Sequence, residues 1–328
     1  MKSTPHHPQL LDAKTYVADL TARIAQAKER VNLISLIFTD DASTHELIEE
    51  ILKAAKRGVE VSIAADWFTY GEFGGYFSPL KRASKPSRVT SNLVRRLRRA
   101  GVHFTWLGTH RKLNPFSGTT HIKWSVVDST AYVFGGTNLY EEGIESIDYM
   151  FRIDDGALAD QISHQHHAII RSGRLYPGYT SECELGYIYV DSGVRHESLI
   201  YDRVCSLAKE AEHILIVTQY CPSGTLARLL TGKSDVYYNQ PNVVAYPANM
   251  LISYTQQRTG LRSLYGRAEY LHAKLMIFTM PDGKKVAMTG SHNFAHSGVR
   301  FGTREVALET ANGDIIAQIE AFFETQVK

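Results

Sequence analysis

Two imidazoles, two ammonium groups and two carboxamides recur along this chain in the same order. The first set is His121, Lys123 and Asn138, within His121-Ile-Lys123-Trp-Ser-Val-Val-Asp128 and then Gly135-Gly136-Thr137-Asn138. The second, about 150 residues on, is His272, Lys274 and Asn293, within His272-Ala-Lys274-Leu-Met-Ile-Phe-Thr279 and then Gly290-Ser291-His292-Asn293. Ammonium and carboxamide donors suit phosphoryl oxygens, and an imidazole titrating near neutrality suits attack on phosphorus or proton transfer. If the two sets meet, they form a phosphate-handling site.

Such groups act together only where the backbone aligns them. Successive strand side chains alternate faces, so His121, Lys123, Ser125 and Val127 would share one side, as would His272, Lys274, Met276 and Phe278. Gly135-Gly136 and Gly290-Ser291 permit tight turns that would return Asn138 and Asn293 beside the histidines. A third His-x-Lys, His110-Arg-Lys112, runs into Leu-Asn-Pro-Phe-Ser-Gly, where a strand cannot continue. No Gly-x-x-Asn follows it at the matching distance, so it is set aside.

The surrounding elements repeat as well. Val17, Leu20, Ile24 and Ala27 predict a helix over 14–30, followed by a buried strand over 31–38. Ser43 or Thr44 would cap a helix running to Arg57 and stopped by Gly58, with a strand over 59–65 beyond it. Residues 92–100 read as a helix ended by Gly101, and 102–107 as a strand. The second half gives a helix over 198–211, a strand over 213–220 and a helix opened by Pro222-Ser-Gly224 and running to Leu230. A short strand over 243–246 and a closing amphipathic helix over 315–327 complete it. Residues 172–194, rich in Gly, Tyr and Ser, read as the junction between lobes over 10–175 and 190–328. This alternation argues for an α/β fold of two similar lobes.

Composition bounds the rest. A chain of 328 residues, 44% hydrophobic and 21% charged, can bury a substantial core in two lobes. Its net charge of +2 indicates neither nucleic acid nor an anionic membrane. Only the stretch 81–112 is clearly basic, and it reads equally as a solvated helix face with a loop or as a patch for anionic substrates. Cys183, Cys205 and Cys221 have no metal or disulfide spacing, which fits a reducing cytosol. Residues 1–14 lack the apolar core of a signal peptide, and no run approaches the roughly 18 to 20 apolar residues that span a bilayer. Any membrane contact would then be peripheral, on the inner face of the cell membrane.

The paired motifs resemble the phospholipase D superfamily, whose signature is His-x-Lys-x4-Asp, twice, each followed by a Gly-containing segment and Asn. Residues 121–128 match it completely, and 272–279 match except for Thr279 in place of Asp. The likeness covers roughly 14–328, and the order of elements is most similar to the bacterial cardiolipin synthase branch. It implies two lobes, each a mixed sheet flanked by helices, related by a pseudo-two-fold with the active site between them. It also implies two-step transfer through a phosphohistidine, with His121 as nucleophile and His272 as acid/base, roles that family members can exchange. Lys123, Lys274, Asn138 and Asn293 would hold the phosphoryl oxygens, with Ser125 and Ser291 as weaker candidates. Asp148 and Glu305, 10 and 12 residues after their asparagines, would orient the histidines. Asp128 and Thr279, on the opposite strand face, would orient rather than react. No metal or other cofactor is called for.

The implied activity is phosphatidyl transfer between phosphatidylglycerol molecules, or phospholipid hydrolysis, on an anionic lipid substrate. The alternative is a phosphodiesterase or nuclease acting on DNA or RNA. A third reading, a non-enzymatic scaffold, is opposed by the intact His, Lys and Asn of both copies. Tyr220 reads either as lining the cleft or as core, and His292 as a loop residue. His164, His166 and His167 read as an exposed helix rather than a metal cluster. The aromatics from Trp67 to Phe77 read equally as a lipid-facing loop or as ordinary packing.

Overall fold

Why the two halves adopt the same plan is visible in the strand order. The computed structural model describes residues 8–69, 85–109, 118–244 and 248–328. In one sheet, β1 (Gln9–Asp12), β2 (Arg30–Ser35), β3 (Glu60–Asp66), β4 (His103–Leu107), β5 (Trp124–Val127), β6 (Thr130–Val133) and β7 (Tyr149–Asp154) are ordered β1-β7-β6-β5-β2-β3-β4. The other sheet has β8 (Tyr179–Cys183), β9 (Gly186–Val190), β10 (His213–Val217), β11 (Ser234–Tyr237), β12 (Leu275–Thr279), β13 (Lys285–Gly290) and β14 (Val306–Thr310). They are ordered β11-β10-β12-β13-β14-β9-β8. The run β3-β2-β5-β6-β7 matches β11-β10-β12-β13-β14 in order. In each run the first pair is parallel and the remaining pairs antiparallel. The fold is α/β with two mixed sheets flanked by helices, as the sequence predicts.

The chain divides into two compact units. One comprises Met1–Val133, Thr137–Glu145 and Met150–Tyr176; the other comprises Phe134–Gly136, Ser146–Tyr149 and Pro177–Lys328. The second unit therefore takes in two short pieces of the first half, around Gly136 and Asp148.

Local chemistry explains most element ends. Helix Ala13–Gln26 starts where the Asp12 carboxylate accepts from Thr15 N at 2.9 Å, and it buries Tyr16, Val17, Leu20 and Ile24. Helix Leu199–Glu210 starts where Ser198 Oγ accepts from Tyr201 N at 3.0 Å. Gly58 and Gly101 end their helices at φ +92° and +94°, a conformation that costs glycine least.

Several boundaries differ from expectation. Helix His45–Lys56 follows Thr44, whose side chain does not cap it; Thr44 Oγ1 donates to Thr39 O. The Asp41 carboxylate instead accepts from the N–H groups of Ser43 and Thr44. Helix Lys85–Arg99 begins seven residues before Asn92. The strand expected over 243–246 is absent from its described part. Pro241 opens a 3-10 turn over Pro241–Val243, and the strand of that region is β11. The closing helix covers Gly313–Phe322 and then widens into a π-turn over Phe323–Val327. Residues 172–194, read as a junction, contain the hairpin β8–β9, which pairs with β14. The stretches 70–84 and 110–117, with most of the aromatic run and the His110-Arg-Lys112 triplet, lie outside the described residues.

Candidate active site

Neither His-x-Lys pair lies inside a strand. β5 begins at Trp124 and β12 at Leu275, so each pair occupies the lead-in to its strand. Both lysines are nonetheless buried, Lys123 to 2% exposure and Lys274 to 1%. Each turns back on its own motif: Lys123 Nζ donates to His121 O at 2.6 Å, and Lys274 Nζ donates to His272 O. An ammonium buried this way has a fixed position, as a donor aimed at a phosphoryl oxygen requires.

Each lead-in is also clipped from behind by a side chain that sequence reasoning missed. In the first unit, fully buried Asp66, last in β3, accepts Thr120 N at Oδ2 (2.8 Å) and Phe68 N at Oδ1 (2.8 Å). In the second, fully buried Asn239, just past β11, accepts Leu271 N at 2.9 Å and donates to Leu271 O at 2.7 Å and Gln219 O at 3.0 Å. Thr120 and Leu271 immediately precede the two histidines, so both clips act on the same backbone position. The available signal was a polar residue at the carboxyl end of a parallel strand, where α/β sheets place their sites.

Within the second unit the surroundings of His272 are complete enough to assign its tautomer. Ile147 O accepts both His272 N (3.0 Å) and Ala273 N (2.9 Å), which brings Asp148 alongside. Asp148 Oδ2 lies 2.5 Å from His272 Nδ1, while its Oδ1 accepts Tyr149 N (2.8 Å) and Gly136 N (3.2 Å). Burial by itself would push this carboxyl up. The charges of His272 and Lys274, with the His272 and Tyr149 hydrogen bonds, outweigh it and hold the group below the usual carboxylate range. Asp148 is thus an anion, and Nδ1 carries the proton it accepts. Lys274 Nζ, 3.0 Å from the same Nδ1, cannot also donate to it and is bonded to the backbone carbonyl. Chemistry at this ring is left to Nε2. The Asp148 side chain is wholly buried and that of His272 is 12% exposed, so the ring is the member of the pair that a substrate can reach.

Close packing supports the pair. A Cβ on Gly136 would lie 2.7 Å from Asp148 Oδ2 and 3.1 Å from Lys274 Nζ, so only glycine fits there. Tyr149 Oη bonds Thr289 Oγ1 at 2.5 Å, and Thr289 donates to Phe134 O at 2.8 Å, holding the glycine turn in place. Tyr270, also missed from sequence, stacks on His272 with centroids 6.4 Å apart. Its hydroxyl accepts from Gln219, which donates to Tyr220 as well, so Tyr220 joins this hydrogen-bonded shell.

The other predicted residues separate into two groups. Asn138, at 3% exposure, and Asn293 each have a buried Oδ1 with no hydrogen-bond partner among the described residues. A half-turn about the terminal torsion exchanges Oδ1 with Nδ2, so each carboxamide can present N–H donors at that unfilled place. Glu305, 2% exposed, accepts from Ser291 Oγ at 2.6 Å, so Ser291 positions this carboxylate. His292 is a loop residue, buried, with Nδ1 accepting Phe294 N at 2.8 Å.

Three expectations need correction. Asp128 does not orient His121: seven residues of extended chain is about 23 Å, and its carboxylate accepts the N–H groups of Lys28, Glu29 and Arg30. It sits at φ +51° in the two-residue turn joining β5 to β6. Thr279 ends β12, where a longer turn through Gly283 at φ +79° replaces that geometry. The departure from the motif is therefore a matter of turn construction, remote from the chemistry. Ser125, fully buried, shares a 3.0 Å hydrogen bond with Tyr16 in the core and faces no substrate. His166 is not exposed: it is fully buried, with Nε2 2.8 Å from Ser62 Oγ, and burial lowers its pKa to about 3. No group of three or more metal-ligating side chains occurs among the described residues.

A doubled α/β fold carrying two His-Lys-Asn sets, one with an assigned His–Asp pair, defines a phosphodiester-handling class of protein. The sequence matches the family model for the cardiolipin synthase, PLD-like domain, twice, over residues 20–170 and 182–327. The chain belongs to that phospholipase D-like family, and it is an enzyme of the phosphodiesterase/phosphatidyltransferase type. In fold it is similar to phosphatidylserine synthase from Haemophilus influenzae, with TM-score 0.71 and 15% identity over 97% of this chain and 85% of that one. It is also similar to polyphosphate kinase from Porphyromonas gingivalis, with TM-score 0.63 and 12% identity over 97% of this chain and 47% of that one. No curated protein matches the sequence.

Proposed function

We propose that the enzyme transfers a phosphatidyl group between phosphatidylglycerol molecules, as a cardiolipin synthase does, with water as the competing acceptor. The observation that carries the acid/base assignment is the buried anion Asp148 on His272 Nδ1, which leaves Nε2 to move protons. In this reading His121 attacks phosphorus, the bond from phosphorus to the glycerol oxygen breaks, and His272 protonates the departing alkoxide. The hydroxyl of a second phosphatidylglycerol then gives its proton to His272 as its oxygen displaces His121. Lys123, Lys274, Asn138 and Asn293 hold the phosphoryl oxygens, Asp148 orients His272, and Glu305 is the corresponding carboxylate of the second repeat. The family match and the likeness in fold to a phospholipid synthase support this lipid reading.

The test is rapid alkaline quench during turnover of phosphatidylglycerol labelled at phosphorus, with single-stranded DNA assayed in parallel. The phosphorus label should be trapped on the parent enzyme as an acid-labile, base-stable adduct and be absent from His121→Ala. Trapping lost in His272→Ala but retained in His121→Ala would exchange the two roles. Cleavage of DNA with no lipid turnover would replace the lipid reading by a nuclease.

A further inference from the structure

The Asn239 carboxamide bonds both backbone groups of Leu271, one residue before His272, and so closes the base of the segment between them. Within that segment, residues 261–265 lie against the sheet edge: Leu264 N donates to Val236 O at 2.8 Å and Tyr238 Oη to Leu261 O at 2.8 Å. Helix Ala248–Thr259 buries only Ile252. Met250 is 60% exposed, Leu251 46%, Tyr254 60% and nearby Leu264 56%. These four are half of the exposed large hydrophobic side chains among the described residues, gathered within 15 consecutive positions. A surface helix in water normally turns polar groups outward, so such a concentration marks a contact surface.

Its charge says what kind. No Asp or Glu occurs between Asp235 and Glu269, whereas Arg258 and Arg262 are exposed in the same stretch. The Arg258 guanidinium lies over the Tyr254 ring, 5.8 Å from its centroid, joining a cation to the apolar face. Aliphatic and aromatic side chains flanked by arginine, with no carboxylate, match the boundary between acyl chains and anionic headgroups. A second copy of this chain would bring arginine against arginine and is the poorer fit.

We infer that residues 248–264 form a docking surface for an anionic phospholipid bilayer, placed so that a docked enzyme meets its substrate beside His272. The inference rests on the phospholipid reading above. No helix of the described residues is long enough and apolar enough to cross a membrane, so this contact is interfacial.

Sedimentation with phosphatidylglycerol vesicles tests it, alongside turnover of dihexanoyl phosphatidylglycerol below its micelle concentration. Met250→Ser/Leu251→Ser/Tyr254→Ser should weaken vesicle binding by about tenfold or more. Arg258→Gln and Arg262→Gln should each weaken it about fivefold at low salt. Turnover of the monomeric lipid should stay unchanged in all three. Equal vesicle binding by parent and variants overturns the docking surface. A parent that elutes as a dimer, with the triple variant monomeric and vesicle binding unchanged, assigns the face to self-association instead. Vesicle binding that responds as expected, with neither lipid turned over by the parent, overturns the phospholipid chemistry and leaves the surface standing.

Discussion

At the scale of single residues, what matters around His272 is which proton sits where. Asp148 is acceptor to three N–H groups, two of them backbone, so the carboxylate cannot swing away when the ring changes charge. Asp148→Asn keeps the shape but can offer an N–H where an acceptor is needed, which favours the wrong ring tautomer. The expected result is a kcat about a hundred- to ten-thousand-fold lower, with KM little changed. Steady-state kinetics on phosphatidylglycerol checks it, and a loss under threefold would remove Asp148 from the chemistry. Lys123 and Lys274 illustrate a different economy, since each is anchored by the carbonyl of its own histidine residue. Within each motif, the His-x-Lys spacing is therefore a backbone clip as well as a pair of functional groups.

At the scale of elements, the two repeats solve one problem with different residues. Each lead-in must be held straight without strand pairing on both sides, and Asp66 and Asn239 supply the missing partners. Asn239→Ala leaves the backbone groups of Leu271 and the Gln219 carbonyl unpaired in the interior. A loss of stability on the order of 3 kcal/mol is expected, with activity lost beyond what unfolding explains. Asn239→Asp keeps the acceptor for Leu271 N, as Asp66 does for Thr120 N, and should fall between parent and alanine variant in both thermal unfolding and kcat. If alanine leaves both unchanged, the clip is incidental.

At the scale of the whole molecule, two buried titratable groups push stability in opposite directions with pH. His166 in the first unit is held neutral by burial, with a pKa of about 3. The unfolded chain takes up that proton near the ordinary histidine value, so the folded state loses ground as pH falls from about 6.5 toward 3. Asp191 in the second unit is raised to about 7 by burial, with its bonds from Ser198 Oγ (2.7 Å) and Ile200 N pulling the other way and the Glu305 charge adding to the rise. Its folded form holds a proton the unfolded chain has released, so that contribution is full below the ordinary carboxylate range and is lost as pH rises toward 7. Between about pH 4 and 6.5 the two slopes oppose each other. Relative to the parent, Asp191→Asn should become more stable as pH rises across that range, by about tenfold in the unfolding constant per pH unit. Urea unfolding at half-unit pH steps reads the difference, and parallel profiles for variant and parent would show that Asp191 does not titrate there.

The α/β plan, the helix starts near Ala13, His45, Leu199, Thr225 and Gly313, and both His-Lys-Asn sets were legible in the chain because their causes are local. Caps, 3.6-residue spacing and glycine stops act over a few residues, and the motif repeats its own spacing. What the tertiary structure alone decided lies in pairings between residues far apart in sequence. Asp148 meets His272 across 124 positions, and Asn239 meets Leu271 across 32. Alternation put Ser125 beside His121, yet it bonds Tyr16 in the core, and Asp128, given an orienting role by the motif, instead bonds backbone N–H groups at the far end of its strand. Tertiary packing also buried His166, whose helix reads as polar but packs beside Ser62 of β3. Spacing says which groups a segment can present. Which carboxylate reaches which ring depends on the backbone bonds that fold distant segments together, and those are formed only when the sheets are.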